Sequence, residues 1–174
     1  MMLKVEREYR GPVPDGKITL PMKERRMMDH GIGGSMMIYR EMTKDDYDAA
    51  YSLWEKTEGM GLSAADSREE ISRFLERNPG LSQVCVSPDG GLAGTALCGH
   101  DGRRGFLYHV AVSGEHRGKG IGRGLVSNCL EALRSEGIAK CHLMVIGSNA
   151  DGQRFWSGIG WEFRDSILLY SHGT

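Results

Sequence analysis

The sequence predicts an α/β (α+β) domain of about seven strands and four helices, and three observations carry that expectation. A run rich in aromatic and β-branched side chains, Phe106 to Val112, is followed by a loop carrying Gly118, Gly120 and Gly122. Behind that loop Ile121, Leu125, Val126, Cys129, Leu130 and Leu133 recur at helical spacing on one face. Capped helical stretches and short apolar runs on either side complete the order β-α-α-β-β-β-α-β-α-β-β.

Residues 1–35 differ from the rest: they are charged, carry Pro12, Pro14 and Pro21, and end in Gly31, Gly33 and Gly34. They have no sustained period from which to build a core face, so they are expected to form an N-terminal extension with at most a short strand at Lys17 to Leu20. The domain itself is expected to span residues 36–174, starting naturally at Met36 or Met37. A strand at Met37 to Glu41 leads to a helix from Lys44 to about Lys56. Thr43 and Asp46 give it a capping-box start, and Tyr47, Ala50, Tyr51 and Trp54 repeat at i, i+3, i+4 and i+7. After the loop Gly59-Met60-Gly61-Leu62, Ser67 with Glu70 caps a second helix that buries Ile71, Phe74 and Leu75 and stops at Asn78-Pro79-Gly80. Strands at Leu81 to Val86 and Leu92 to Cys98 are joined by Pro88-Asp89-Gly90-Gly91, a hairpin signal. Beyond the central strand and helix, Gly137 ends the helix and Ala139 to Ile146 makes a further strand. Asn149 caps a helix to about Gly158, and Trp161 to Phe163 and Ser166 to Tyr170 are expected to close the fold as a hairpin around Arg164 and Asp165.

Composition excludes several functions. With 174 residues, 40% hydrophobic and 26% charged, the chain can bury one proper core, and its net charge of -1 offers no global basic field for nucleic acid. No apolar run approaches the roughly 18 residues that a membrane span needs, and the first residues carry Lys4, Glu6, Arg7, Glu8 and Arg10 without an apolar core region. Neither a membrane partner nor secretion is expected. Cys85, Cys98, Cys129 and Cys141 form no C-x-x-C pair and each lies in an apolar segment, which suggests reduced thiols and a cytoplasmic location. No histidine has a second His or Cys at metal-ligand spacing, so no metal is expected.

The glycine-rich loop has a specific chemical capacity. The first N–H groups of a helix lack intrahelical partners, the dipole favours negative charge there, and glycine lets a ligand approach the backbone. Arg117, Lys119 and Arg123 add three cations against Glu115, which points to a bound pyrophosphate. A magnesium-dependent phosphate loop needs G-x-x-x-x-G-K followed by Ser or Thr. Here Ser113 stands five residues before Gly118, and Gly120 follows Lys119. A dinucleotide fingerprint needs G-x-G-x-x-G, but the third position falls on Arg123 or on Leu125.

What the loop does satisfy is Arg/Gln-x-x-Gly-x-Gly/Ala, through Arg117, Gly120 and Gly122, directly after a strand ending Val110-Ala111-Val112. This resembles motif A of the GNAT family of N-acetyltransferases. The order of elements from Met37 onward resembles that fold too, and the stretches G-H-D-G-R-R-G and F-W-S-G-I-G-W are similar to a YpeA-like branch of small uncharacterised acetyltransferases. The resemblance implies a mixed central sheet, acetyl-CoA as cosubstrate and transfer of its acetyl group to a primary amine of a small molecule or protein by direct attack; it allows a homodimer. It implies that Arg117, Gly118, Lys119, Gly120, Ile121, Gly122 and Arg123 hold the pyrophosphate and that Val110, Ala111 and Val112 line the pantetheine and thioester. A non-catalytic acyl-CoA-binding sensor is the alternative.

Two positions depart from the family pattern. Asn149 matches an asparagine that contacts the cofactor in relatives, but Trp156 stands where many carry a tyrosine that protonates the leaving thiolate, and an indole N–H does not titrate usefully. Met144 stands where some protein-modifying relatives carry a carboxylate base. With alternation along a regular strand, Tyr108 shares a face with Phe106, Val110 and Val112 while His109 points the other way. Relatives place a base on that face, so Tyr108 is the first catalytic candidate and Tyr170 the second; His142 is read as a core residue or a base acting through water. Asp66, Glu69, His100 and Asp101 could attract an amine, and Arg103 and Arg104 a carboxylate or phosphate.

Overall fold

The structure, a computed structural model, describes residues 36–173. The expected extension, its short strand and the early methionines lie outside the described residues. Five strands form one sheet in the order β1 (Ile38–Glu41), β2 (Gln83–Val86), β3 (Leu92–His100), β4 (Gly105–Val112), β5 (Cys141–Leu143). The first four pair antiparallel in sequence, and β5 runs parallel to β4, so the sheet is mixed. The parallel step requires a crossover, which is supplied by α3 (Ile121–Ser135).

Helices cover both faces. On one, α3 buries Ile121, Leu125, Val126, Cys129 and Leu133 against Cys85, Ala93, Ala96, Cys98 and Leu107, with Phe155, Trp156 and Trp161 from the α4 (Ala150–Gly158) region closing the end. On the other, α1 (Tyr47–Glu55) and α2 (Arg68–Arg77) bring Ala50, Trp54, Ile71 and Leu75 against Val84, Leu97 and Ala111. The central strand β3 is buried on both faces over Ala93 to Gly99, which its small residues permit.

The helix starts follow the expected caps. Asp46 accepts from the Thr43 N–H at 2.8 Å, and its carboxylate takes Arg40 in a two-pronged contact at 2.6 and 2.7 Å, tying β1 to the start of α1. Ser67 Oγ accepts from the Glu70 N–H at 3.3 Å, and Asn149 Oδ1 accepts from the Gly152 N–H at 2.8 Å.

The expected strand count is corrected. No strand forms at 161–163 or 166–170; Phe163, Ile167, Leu168, Leu169 and Tyr170 lie 60–86% exposed in irregular chain. The strand expected over residues 139–146 is confined to Cys141–Leu143 because its pairing with β4 stops at Leu107↔Leu143. The cause lies in β4 itself. Between Thr95 and Leu97 the β3–β4 register shifts, so that His109 and Val110 together oppose Ala96, and His109 takes a left-handed φ of +46°.

Candidate active site

The bulge at His109 turns the side chains that follow. Had β4 been regular, Tyr108, Val110 and Val112 would share a face. Instead Val110 and Val112 pack in the α3 cluster, while Ala111 is buried in the α1–α2 cluster. The expectation that His109 faces away from Tyr108 is therefore corrected: Tyr108 meets Phe74 of α2 edge-on, and the His109 ring lies 4.6 Å from that of Trp54 on α1. A non-glycine residue at φ +46° costs on the order of 1–3 kcal/mol unless its surroundings hold it. They do so at three points. Thr95 Oγ donates to the His109 carbonyl at 2.9 Å and accepts from Trp54 Nε1 at 2.8 Å, and His109 Nε2 meets Asp66 Oδ1 at 2.6 Å.

Asp66 ends a 3-10 turn, Ala64–Asp66, in the loop between α1 and α2. Its second oxygen accepts from Ser63 N–H at 2.7 Å and Ser63 Oγ at 3.3 Å, while its backbone carbonyl accepts from the Tyr47 hydroxyl at 2.9 Å. Both members of the pair are largely buried, with side-chain exposures of 13% for His109 and 11% for Asp66. The Ser63-x-x-Asp66 spacing is a capping-box signal visible in the sequence, but its partner across 43 residues is not.

Past Leu107, β4 continues to Val112 while the chain after Leu143 departs, leaving one side of β4 open. Ser113 donates its N–H to Ala93 on β3 at 2.9 Å; by alternation the polar backbone of Val112, and of Val110 before it, turns into the opening. The Val112 carbonyl there accepts from Arg117 Nε at 3.3 Å, which pins the loop to the strand end. The loop is glycine-dependent at two points. Gly118 and Gly120 hold φ of +76° and +79°, with no other atom within 4 Å of where a Cβ would sit, so the space in front of them is open. Gly120 is the N-cap of α3 and supplies no side-chain cap, leaving the N–H groups of Ile121, Gly122 and Arg123 for a ligand. Arg123 and Lys119 are exposed beside them, Lys119 Nζ lying 3.3 Å from His116 Nδ1.

The remaining expected site residues are spread around this opening. Asn149 caps α4, and its side chain lies against Gly59, where an added Cβ would come within 2.4 Å of Nδ2. Trp156 is wedged edge-on between Phe155 and Trp161, with ring centroids at 4.9 and 5.1 Å. Tyr108 is 37% exposed, and burial, assisted by Cys141, pushes its phenol above the ordinary value of 10.0, so it carries its proton at neutral pH. Tyr170 is 85% exposed and belongs to no strand. Burial, with Lys140, Arg104 and Arg164 nearby, pushes His142 down, which makes it a poor proton acceptor. Burial pushes the thiol of Cys85 up to about 11 and that of Cys141 up to about 12. Among the described residues no cluster of three or more His, Cys, Asp or Glu side chains is arranged to hold a metal, and no helix is long and apolar enough to cross a membrane.

An open strand edge lined by backbone amides and ending at a cationic helix N-terminus is an acyl-thioester and pyrophosphate slot in form. The sequence model of the acetyltransferase (GNAT) family matches residues 41–161, and the chain belongs to that family. It is an acetyltransferase of the acyl-CoA-dependent kind. An acetyltransferase of Sodalis glossinidius is 32% identical over 133 residues, covering 76% of this chain and 92% of the relative. Among solved structures, the PaiA N-acetyltransferase from Thermoplasma acidophilum in complex with coenzyme A superposes with a TM-score of 0.65 at 19% identity, over 74% of this chain and 91% of that one. The diaminobutyrate acetyltransferase EctA from Paenibacillus lautus, in complex with L-2,4-diaminobutyric acid and coenzyme A, gives 0.60 at 20% identity, over 72% and 75%.

Proposed function

We propose that the chain transfers the acetyl group of acetyl-CoA to a primary amine of a small molecule or protein, by direct attack, in the cytoplasm. The observation that carries this reading is the continuity of the open β4 edge with the bare N-terminus of α3. The N–H groups at Gly120–Arg123, with Arg117 and Lys119, hold the pyrophosphate, and the Val110–Val112 backbone holds the pantetheine and aims an N–H at the thioester oxygen. The amine nitrogen attacks the carbonyl carbon, the C–N bond forms as the C–S bond breaks, and the departing thiolate takes a proton. Tyr108 supplies that proton: its phenol is protonated at neutral pH and stands one residue before the bulge. Direct attack is favoured over an acyl-enzyme because Cys85 and Cys141 offer no thiolate near pH 7. EctA, whose acceptor is L-2,4-diaminobutyric acid, and the free thiols of a reducing compartment support the amine and the location.

One observation favours the second reading, an acyl-CoA sensor: Trp156 packs between two rings where many relatives carry a titrating tyrosine. Thiol release from acetyl-CoA, followed across a panel of polyamines, amino acids, aminoglycosides and peptide N-termini, separates the two. Amine-dependent release supports the transferase, whereas tight CoA binding with no release across the panel supports the sensor.

A further inference from the structure

We propose that His109 is the base that receives the proton of the attacking amine, with Asp66 as its positioning partner. The inference rests on the transferase reading above and adds to it a group that strand alternation had turned away from the reaction. Three observations carry it. His109 occupies the bulge where the backbone of β4 opens, so its side chain and the proposed thioester-binding amides spring from adjacent residues. Its Nε2 is held at 2.6 Å by a carboxylate whose other oxygen is committed to Ser63, so Asp66 is an acceptor and the ring proton belongs on Nε2. Among the described residues Nδ1 has no hydrogen-bond partner, which leaves its lone pair as the basic site.

The pairing also explains a cost. A strained φ persists where surrounding contacts over-determine it, and here the contacts are Thr95 on the backbone, Trp54 against the ring and Asp66 on Nε2. In the reaction, the amine N–H proton moves to Nδ1 as the C–N bond forms, the C–S electron pair leaves with sulfur, and the thiolate takes the Tyr108 proton. The imidazolium so formed faces the Asp66 carboxylate, and solvent returns both groups to their starting states. The titratable and charged groups tied to this network are Asp66 in the 3-10 turn, Tyr47 and Tyr51 on α1, Arg68 of α2 stacked over the Tyr47 ring at 4.6 Å, and Tyr108 on the strand.

Two experiments test it. The first uses His109→Asn, since asparagine tolerates left-handed backbone and keeps the bulge. With an acceptor amine that wild type turns over, kcat is expected to fall on the order of a hundredfold or more, the acidic limb of the pH–rate profile to disappear, and CoA affinity to stay unchanged. Asp66→Asn, which keeps the shape without the charge, is expected to lower kcat while leaving CoA affinity unchanged. A His109→Asn enzyme with wild-type kcat and pH profile overturns the proposal while leaving the transferase reading intact. No turnover by wild type across the amine panel sinks both.

The second needs no turnover. In long-range nitrogen NMR spectra of the imidazole rings, with the His109 signal assigned from the His109→Asn variant, neutral His109 is expected to carry its proton on Nε2. A neutral ring with its proton on Nδ1 has no lone pair there and overturns the assignment, whatever the kinetics show.

Discussion

Thr95 is the residue on which the bulge depends, and Thr95→Val measures that dependence. The substitution keeps the branched shape and leaves no cavity, but removes the one hydroxyl that serves both Trp54 Nε1 and the His109 carbonyl. Thr95 and Trp54 are fully buried, so the orphaned indole N–H has no water to turn to, whereas the His109 carbonyl is part-buried. An unpaired buried donor costs roughly 1–3 kcal/mol, so the indole N–H alone removes about that much from a total stability of roughly 5–15 kcal/mol, and the carbonyl adds to it. Urea unfolding followed by Trp fluorescence is expected to show the midpoint falling with the slope unchanged. Thr95→Ser is the control: it loses a methyl group and keeps the hydroxyl, so about 1 kcal/mol is expected. If Thr95→Val lies within about 0.5 kcal/mol of wild type, or if the two variants fall equally, the hydroxyl does not hold the bulge and the reasoning fails.

Tyr108→Phe keeps the ring packed against Phe74 and Phe106 and removes the proton donor; kcat should drop by on the order of a hundredfold with CoA affinity intact, and the basic limb of the pH profile should change. Equal kcat and equal pH dependence would return Tyr108 to the core and leave Tyr170 or a water chain as donor. Acid stability should depend on Asp46. Burial pushes its carboxyl up, but the Arg40 and Thr43 hydrogen bonds outweigh burial and hold it below the ordinary value of 3.8. A group lowered in the folded state gives its full stabilisation above the unfolded value and loses it as pH falls through the folded one, so this contribution begins to be lost near about pH 4 and is gone only below the folded value. The midpoint of wild type should therefore fall more steeply on acidification than that of Asp46→Asn; parallel curves would show that the pair contributes nothing.

How much of this was legible in the sequence follows from how local each feature is. The cap at Thr43 and Asp46, the Asn149 cap and the glycine loop at Gly118–Gly120 each involve a handful of consecutive residues, and each is found where its spacing predicts. The bulge is different. Alternation presumes a regular ladder, and whether β3 and β4 slip at Ala96 depends on Thr95, Trp54 and Asp66 arriving from other elements. A slip of one residue reassigns the faces of Tyr108, His109, Val110 and Val112, which is why alternation alone turns His109 away from Tyr108. The apolar run Ile167-Leu168-Leu169-Tyr170 has the propensity of a strand, but propensity acts through a paired neighbour, and β5 ends at Leu143 with the chain beyond it unpaired.

The central claim, that the loop opening α3 binds the pyrophosphate of CoA, is tested most directly by titrating CoA into wild type and Gly120→Glu in a calorimeter. Gly120 faces open space at φ +79° and belongs to neither core cluster, so a glutamate there sets a carboxylate and a strained backbone where the phosphates would lie. The account predicts one-to-one binding of CoA by wild type and none by the folded variant. Unchanged CoA affinity in Gly120→Glu would contradict it.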